Sequence, residues 1–287
     1  TSGSQGVGVA ISGYYADEQT EVKSVSGNIL ITGTGGSGGG TGNTGVLVNA
    51  APGFGSATKT LSAASIFTGG AGTVTITGTA GGGSDKFGVS ILSSTDLAII
   101  DPSIDTISRV TTAGGDIVIT AVDQAGSGDD IEVGPESVVS SASADVTLRA
   151  GDNLYLRDSS TVEATAGQVT LLGDYGDADP GAGSTMELFG TIASGTKPII
   201  VEGGPDADTI HVNPDKDLPL ATPPHTIDQM ELDGKDGGDT YYIWFGRLDG
   251  GINAALVTDS GATGTDRAIV HGTPNPNTLT VHNFDPP

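Results

Sequence analysis

The sequence predicts an all-β protein built as a parallel β-solenoid, and three observations lead to this class. One strand motif recurs along the chain, and every copy alternates apolar with polar residues. Glycine makes up 47 of 287 residues, which is more than twice the usual ~7%. Alternation with a period of two is typical of a strand with one buried face, and abundant glycine indicates a chain that turns often.

The recurring motif has five copies, whose starting positions are separated by 45, 43, 29 and 23 residues. Each copy places two apolar residues on one face, as Ile29 and Ile31 do in the first. In a solenoid, equivalent apolar positions of successive coils stack into a continuous core. The copies are Gly27–Gly33, Gly72–Gly78, Gly115–Ala121, Ala144–Ala150 and Gly167–Gly173.

A second, shorter strand follows each copy, and glycine-rich spacers of variable length separate the two. A β-sandwich also has many short strands, but it does not repeat one strand motif at such variable spacing. The 23-residue spacing fits one lean coil, whereas spacings of 43–45 fit either one coil with a long excursion or two coils. The shorter strands are Gly45–Val48, Gly88–Ile91, Ile131–Val133, Leu154–Leu156 and Met186–Phe189.

Composition excludes several classes of function. Asp and Glu number 35 against 11 Lys and Arg, a formal charge of −24, so nucleic acid and anionic membranes are poor partners. The absence of Cys excludes disulfides, thiolate catalysis and Cys-ligated metals. No window approaches the ~20 apolar residues of a membrane span, so we expect no membrane insertion. The acidic surface either serves solubility or attracts divalent cations such as Ca²⁺.

The Gly27–Gly36 run, followed by Asn43–Val46, resembles repeats of giant bacterial surface proteins with filamentous-haemagglutinin-like folds. The resemblance covers roughly residues 20–200. It implies a right-handed parallel β-helix with irregular glycine-rich loop excursions, secretion, an elongated rod, and adhesive or matrix-building work. We therefore expect an extracellular or cell-surface location and no enzymatic activity.

Beyond residue 202 the sequence pattern changes. Gly203–His211 and Gly234–Tyr242 resemble the G-G-x-G-x-D-x-U-x nonapeptide of RTX proteins, which binds Ca²⁺. The first departs from the motif at its fourth position, where Asp206 replaces Gly. We therefore divide the chain into β-helix coils over 1–202 and a degenerate RTX-like β continuation over 203–287, which either belongs to the same solenoid or follows it.

Calcium is the expected cofactor of these turns, since Ca²⁺ takes six to eight oxygen ligands and Asp supplies them. The sixth-position Asp residues lie far apart in sequence, at 208, 239 and 266. The alternative is therefore that Gly-Asp is kept only for turn geometry. The predicted ligands are Asp206, Asp208, Asp236 and Asp239.

Parallel β-helices include polysaccharide lyases and hydrolases, so a catalytic function is an alternative for this chain. Equivalent motif positions form a polar column that contains Asp116 and Asp145 but no Lys or Arg, which favours a structural ladder over a catalytic site. Strand alternation places Tyr242 and Trp244 on one face. That pair stacks on sugar rings, which makes glycans a candidate partner, or on a neighbouring subunit, or else it is covered by the Pro-rich excursion 218–224.

Apolar alternation continues close to both ends of the chain. Val7, Val9 and Ile11 alternate at once, and Leu279 and Val281 still alternate near the other end. We therefore expect a segment of a longer polypeptide, with each end covered by further coils or by another copy stacked end to end. The expected function is a structural or adhesive segment of a fibre or sheath. The alternatives are a glycan lyase or hydrolase and a carbohydrate- or surface-binding module.

Overall fold

The computed structural model describes residues 6–13, 20–39, 42–50, 63–83, 86–93, 106–126, 128–195, 197–212, 229–244 and 255–272. These residues form 23 β-strands and no helix. The strands make three sheets, here named A, B and C in the order in which the chain enters them, and the pairing is parallel throughout. The fold is therefore a parallel β-helix, as the sequence predicted.

Sheet A has nine strands: β1 (Val9–Gly13), β4 (Val46–Ala50), β7 (Phe87–Leu92), β10 (Asp130–Val133), β13 (Leu154–Leu156), β16 (Thr185–Leu188), β19 (Thr209–Val212), β21 (Thr240–Trp244) and β23 (Arg267–His271). Sheet B has six: β2 (Thr20–Ser24), β5 (Ala64–Thr68), β8 (Arg109–Thr112), β11 (Val138–Ser141), β14 (Thr161–Ala164) and β17 (Thr191–Ser194). Sheet C has eight: β3 (Ile29–Thr34), β6 (Val74–Thr79), β9 (Ile117–Ala121), β12 (Val146–Arg149), β15 (Val169–Leu172), β18 (Ile199–Glu202), β20 (Met230–Asp233) and β22 (Ala255–Thr258).

One coil consists of a strand from sheet A, then B, then C. The five motif copies are the first five strands of sheet C, and the shorter strands found in the sequence lie in sheet A. Strand β3 pairs directly with β6, so a spacing of 45 residues is one coil with a long excursion and not two coils. The lean 23-residue coil separates β12 from β15.

Sheet B was not identified from the sequence. Each of its strands directs a single large aliphatic residue inward, fully buried from β5 onward and partly buried in β2, and the remaining inward positions are small, such as Ala64, Thr112 and Ser141. One large apolar residue per strand gives no period to detect. The aliphatic column of this sheet is Val22, Ile66, Val110, Val139, Val162 and Ile192, in register.

The core is a set of aliphatic columns that run along the coils. In sheet C, one column is Ile31, Ile76, Ile119, Leu148, Leu171, Val201 and Leu232. From the second coil onward these side chains have no exposed surface, whereas Ile31 in the first coil is 9% exposed. Each coil is thus buried mainly by the coils on either side of it.

Glycine at the ends of the motif permits close approach between neighbouring segments. A Cβ on Gly115 would overlap the carbonyl oxygen of Gly72 in the coil before it, and a Cβ on Gly78 would overlap the carbonyl oxygen of Gly88. The motif therefore begins and ends with Gly or Ala, because larger side chains there would push the coils apart.

Sheets A and C continue across residue 202. Strand β16 pairs with β19, and β18 pairs with β20, so the RTX-like turns connect strands of the same two sheets. The Pro-rich excursion 218–224, together with Leu279 and Val281, lies outside the described residues. Within the described ranges, no helix is long and apolar enough to cross a bilayer.

The columns lead to a test on one strand. Replacing Leu148 by Ala deletes a fully buried side chain that packs between Ile119 and Leu171, and we expect a loss of about 2–5 kcal/mol in the free energy of unfolding. Thr147→Ala on the outer face of the same strand is the control, with an expected loss under about 1 kcal/mol. Urea unfolding measures both, and equal losses would contradict the assignment of the two faces.

Candidate metal centre

Aspartates collect at one corner of the coil. The segments that lead from a strand of sheet C to the next strand of sheet A are here called the C–A corner. From the third coil to the last, every such segment carries at least one aspartate, so the acidic side chains form a row along one edge of the solenoid. They are Asp123, Asp129, Asp152, Asp174, Asp177, Asp179, Asp206, Asp208, Asp236, Asp239, Asp259 and Asp266.

Part of this row is a hydrogen-bonded ladder. The Asp208 N–H donates to the Asp239 carboxylate at 2.8 Å, and the Asp239 N–H donates to Asp266 at 3.0 Å. Upstream, the Ser184 N–H donates to Asp208 at 2.6 Å and the Asp129 N–H to Asp152 at 3.0 Å. Each carboxylate thus accepts a backbone N–H from the preceding coil, two positions before the first inward residue of a sheet A strand.

Three groups of carboxylates lie close enough to hold one cation each. Within a group, one oxygen from each residue lies within 4.8 Å of the others. Two oxygens bound on opposite sides of one Ca²⁺ at about 2.4 Å are separated by about the same distance. The groups are Asp123, Asp152 and Asp179; Asp174, Asp177 and Asp206; and Asp239, Asp259 and Asp266.

The four ligands expected from the sequence are divided among different environments. Asp206 lies with Asp174 and Asp177, and Asp239 lies with Asp259 and Asp266, so the two are in separate groups. Asp208 is 1% exposed, and both of its carboxylate oxygens accept hydrogen bonds, from Ser184 and from the Gly204 N–H. Asp236 accepts hydrogen bonds from the Ala262 N–H and the Thr263 hydroxyl. Neither Asp208 nor Asp236 belongs to a three-carboxylate group.

Sequence reasoning missed most members of the three groups. Asp174, Asp177 and Asp179 belong to Gly173-Asp-Tyr-Gly-Asp-Ala-Asp, which has no nonapeptide spacing. A usable signal was present, because three aspartates and two glycines within seven residues are a dense oxygen source at a turn. Asp123 and Asp152 gave no signal, since only coil stacking brings them to the same place.

Burial and mutual repulsion raise the pKa of several of these carboxyl groups. Burial, followed by the charges of Asp208, Asp177 and Asp206, raises the pKa of Asp174 to about 7. Burial is also the largest cause for Asp129, Asp130 and Asp239, whose pKa values rise to about 6. Within the described ranges, no Lys, Arg or His forms an ion pair with a member of the three groups.

The polar column that includes Asp116 and Asp145 lies at the start of the sheet C strands. The Asp116 carboxylate accepts the Asp145 N–H at 3.1 Å, and the Asp145 carboxylate accepts the Gln168 N–H at 2.8 Å. Asn28 accepts the Thr73 N–H in the same way. Lys197 approaches Asp145 at 3.8 Å from a neighbouring turn, with both side chains more than half exposed. The geometry is that of a ladder joining successive coils.

The aromatic residues of sheet A stack on one another. His211 and Tyr242 are 4.6 Å apart between ring centroids, and Trp244 and His271 are 4.7 Å apart, with both pairs nearly parallel. Trp244 also stacks against Tyr242 and His211. Tyr242 and Trp244 are half-buried on the outer face, as alternation predicted. Because neighbouring rings cover their faces, less ring surface is left to stack on a sugar.

Threonine forms no regular grid on the outer face of sheet C within the described coils. Leu30, Thr75 and Val118 share one column, and Thr120 of the next column is followed by Arg149. An ice- or mineral-binding surface needs a repeated ladder of identical side chains, so this arrangement does not favour that function.

The raised pKa values predict that acid stabilises the metal-free protein. An Asp with a folded-state pKa of about 6 or 7 and an unfolded value of 3.8 binds its proton more tightly in the fold. The free energy of unfolding therefore falls as pH rises from the unfolded-state pKa to the folded-state pKa. In buffer with chelator, we expect the melting temperature to be higher at pH 5 than at pH 8, as measured by circular dichroism.

A variant separates this effect from the general repulsion of a chain with charge −24. Asp174→Asn removes the carboxyl group with a pKa of about 7, so the difference in melting temperature between pH 5 and pH 8 should shrink. The exposed Asp116→Asn removes one charge and leaves the C–A corner intact. Equal shrinkage in both variants would mean that long-range charge alone sets the pH dependence.

Comparison of the chain with protein-family models, with curated proteins and with solved structures found no match. Of the resemblance inferred from the sequence, the structure shows an all-strand chain folded into stacked parallel coils.

Proposed function

We propose that this chain is a structural or adhesive segment of a secreted bacterial surface or extracellular-matrix protein, similar to filamentous-haemagglutinin-like right-handed β-helices, in which stacked coils build a fibre or sheath. The observation that carries the proposal is the aliphatic core, which runs without a break from β1 to β22. Nine strands in sheet A, spaced by about 4.8 Å, give a rod roughly 40 Å long from these coils alone. Such a fold adds length by adding coils and needs no enclosed site.

The state of the first coil supports assembly through the ends. Ile11, Ile29 and Ile31 are 6–9% exposed, whereas their partners in the second coil have no exposed surface. Among the described residues, no strand pairs with the outer edge of β3. An edge strand with open hydrogen-bonding groups is a template for another strand. We therefore propose that further coils of the same polypeptide, or a second copy, cover this end.

The polar features described above favour a structural role over catalysis. The carboxylates of Asp116 and Asp145 each hold the backbone of the next coil, and no catalytic pair is needed to explain them. The stacked rings of Tyr242 and Trp244 are explained in the same way, as contacts between and within coils. An extracellular location is part of the proposal and rests on the absence of Cys, the acidic charge and the solenoid architecture.

Bound calcium is proposed for the end of the rod that carries the RTX-like turns. Asp239 is fully buried, and its Oδ2 atom has no hydrogen-bond partner. Its group is completed by Asp259 and Asp266 from the last described coil. A Ca²⁺ ion at this position would join two successive coils and offset the repulsion among three carboxylates.

End-to-end association can be tested at one residue. The Ile29 N–H donates to the carbonyl oxygen of Thr73, the residue before β6, so alternation directs the Leu30 N–H toward the open edge of sheet C. Leu30→Pro removes that donor and leaves the pairing with β6 intact. We expect the 287-residue chain to form elongated oligomers at high concentration. The association constant of the variant should be lower by about tenfold or more. Small-angle scattering and analytical ultracentrifugation measure both properties.

The matched control is Leu30→Thr, which removes the same exposed side chain and keeps the N–H. It should associate as the wild type does, provided that the backbone edge and not the leucine side chain mediates docking. A wild-type chain that stays monomeric at every concentration, with and without Ca²⁺, would contradict association through the ends.

Calcium removal is a further test of the proposal. A ligand that binds only the folded state stabilises it by about 2.7 kcal/mol when its concentration is 100 times its dissociation constant. We expect chelator to lower the melting temperature at pH 7.5. The Ca²⁺-dependent shift should decrease in Asp259→Asn and persist in Asp116→Asn. A melting temperature that is independent of Ca²⁺ would show that these turns serve geometry alone.

A further inference from the structure

The segment 173–183, here called the Asp174 loop, reaches the coils on both sides of its own. The Asp174 N–H donates to the Asp152 carbonyl oxygen at 3.2 Å, and the Ala178 N–H donates to the Asp123 carboxylate. In the other direction, the Gly181 N–H donates to the Asp206 carboxylate at 2.6 Å. The loop is therefore held in place by backbone hydrogen bonds and does not depend on its own carboxylates for its position.

One carboxylate of this loop is buried without a partner. Asp174 is 4% exposed, and its Oδ2 atom forms no hydrogen bond. This oxygen lies against Gly204, where a Cβ would overlap it, at the base of the turn that carries Asp206. The Oδ1 atom of Asp177 is likewise buried and unpartnered. Burying an ionised carboxylate without a partner is costly, so these oxygens point to a missing ligand.

We propose that Asp174, Asp177 and Asp206 bind one divalent cation of the Ca²⁺ type, which joins the coil of β15 to the coil of β18. The site lies outside the nonapeptide-like spacing of the later turns, because two of its ligands come from the Asp174 loop. It also does not depend on what the rod adheres to.

The chemistry of the donors favours Ca²⁺ over other cations. All three protein ligands are carboxylates, and hard oxygen donors select Ca²⁺, Mg²⁺ or Mn²⁺ over Zn²⁺ or Cu²⁺. The ligand oxygens lie within 4.8 Å of one another, which bonds of 2.3–2.6 Å to one Ca²⁺ satisfy, whereas Mg²⁺ keeps several waters and is usually bound by only one or two carboxylates. Water and backbone carbonyls complete the coordination in such sites.

Tyr175 makes the site observable. It follows Asp174 directly, and the guanidinium carbon of Arg149 lies 5.2 Å from its ring centroid, which fixes the ring beside the loop. Tb³⁺ replaces Ca²⁺ at oxygen sites and emits when a nearby tyrosine is excited. The probe is therefore Tb³⁺ luminescence in the 287-residue chain, and the emission lost in Tyr175→Phe is the signal from carboxylates beside this loop, which the Asp174 and Asp177 variants assign to this site or to the neighbouring group of Asp123, Asp152 and Asp179. Tyr241 can sensitise Tb³⁺ at the Asp239 group, and subtraction of the Tyr175→Phe signal removes that contribution.

We expect the Tyr175-dependent emission to saturate with Tb³⁺, to be displaced by Ca²⁺ and to resist the same concentration of Mg²⁺. Asp174→Asn should weaken Tb³⁺ binding at this site about tenfold or more, because a carboxylate ligand is lost. Asn also tolerates the positive φ of 46° at this position. Asp116→Asn, which also removes one carboxylate from a ladder between coils, should leave the emission unchanged.

Asp177→Asn is a second variant in case Asp174→Asn fails to fold, since Asp177 is only partly buried and its φ of 51° is also compatible with Asn. It should reduce the affinity in the same way. The proposal is overturned if the wild-type chain shows no Tyr175-dependent emission. It is also overturned if that emission keeps its affinity in every folded variant of Asp174 and Asp177. Loss of the Asp239-group signal alone would leave this site standing, and the two sites are therefore tested separately.

Discussion

The structure depends on in-register parallel pairing between successive coils. Once β3 pairs with β6 residue for residue, every later strand of sheet C repeats the same inward and outward positions. A slip of one residue would turn the whole buried column outward, so the register is fixed by burial of aliphatic side chains. The same register aligns the polar residues of each coil, and the corner ladders follow from it.

Alignment of like residues has opposite consequences for apolar and acidic side chains. Stacked Ile, Val and Leu gain by burying one another, whereas stacked carboxylates repel. The chain offsets this repulsion in part by giving several carboxylates a backbone N–H from an adjacent coil, as the Asp208 N–H does for the Asp239 carboxylate. Where carboxylates outnumber the available donors, as at Asp174, an oxygen is left unpaired and the pKa rises. The acidic corner is thus a direct result of solenoid geometry acting on an Asp-rich turn.

Acidic side chains form ladders between successive coils at two places in the fold. In the column that includes Asp116, and at several positions of the C–A corner, the carboxylates accept a backbone N–H of a neighbouring coil. The long excursions that leave the coils do not disturb this pattern, because strands on either side of them stay in register. A rod of this kind tolerates variable loops and keeps its core unchanged.

The sequence by itself determined the solenoid class, the first five strands of sheet C, five strands of sheet A (β4, β7, β10, β13 and β16) and the inward residues of each motif copy. Alternation can be detected in a short stretch of sequence, and five copies of the motif repeat it. Only the tertiary structure decided that 45 residues make one coil, that a third sheet exists, and which aspartates meet. Asp123, Asp152 and Asp179 are separated by 29 and 27 residues in the chain. They come together because coils of unequal length stack at one spacing, and loop lengths that vary between coils hide that proximity from any fixed sequence period.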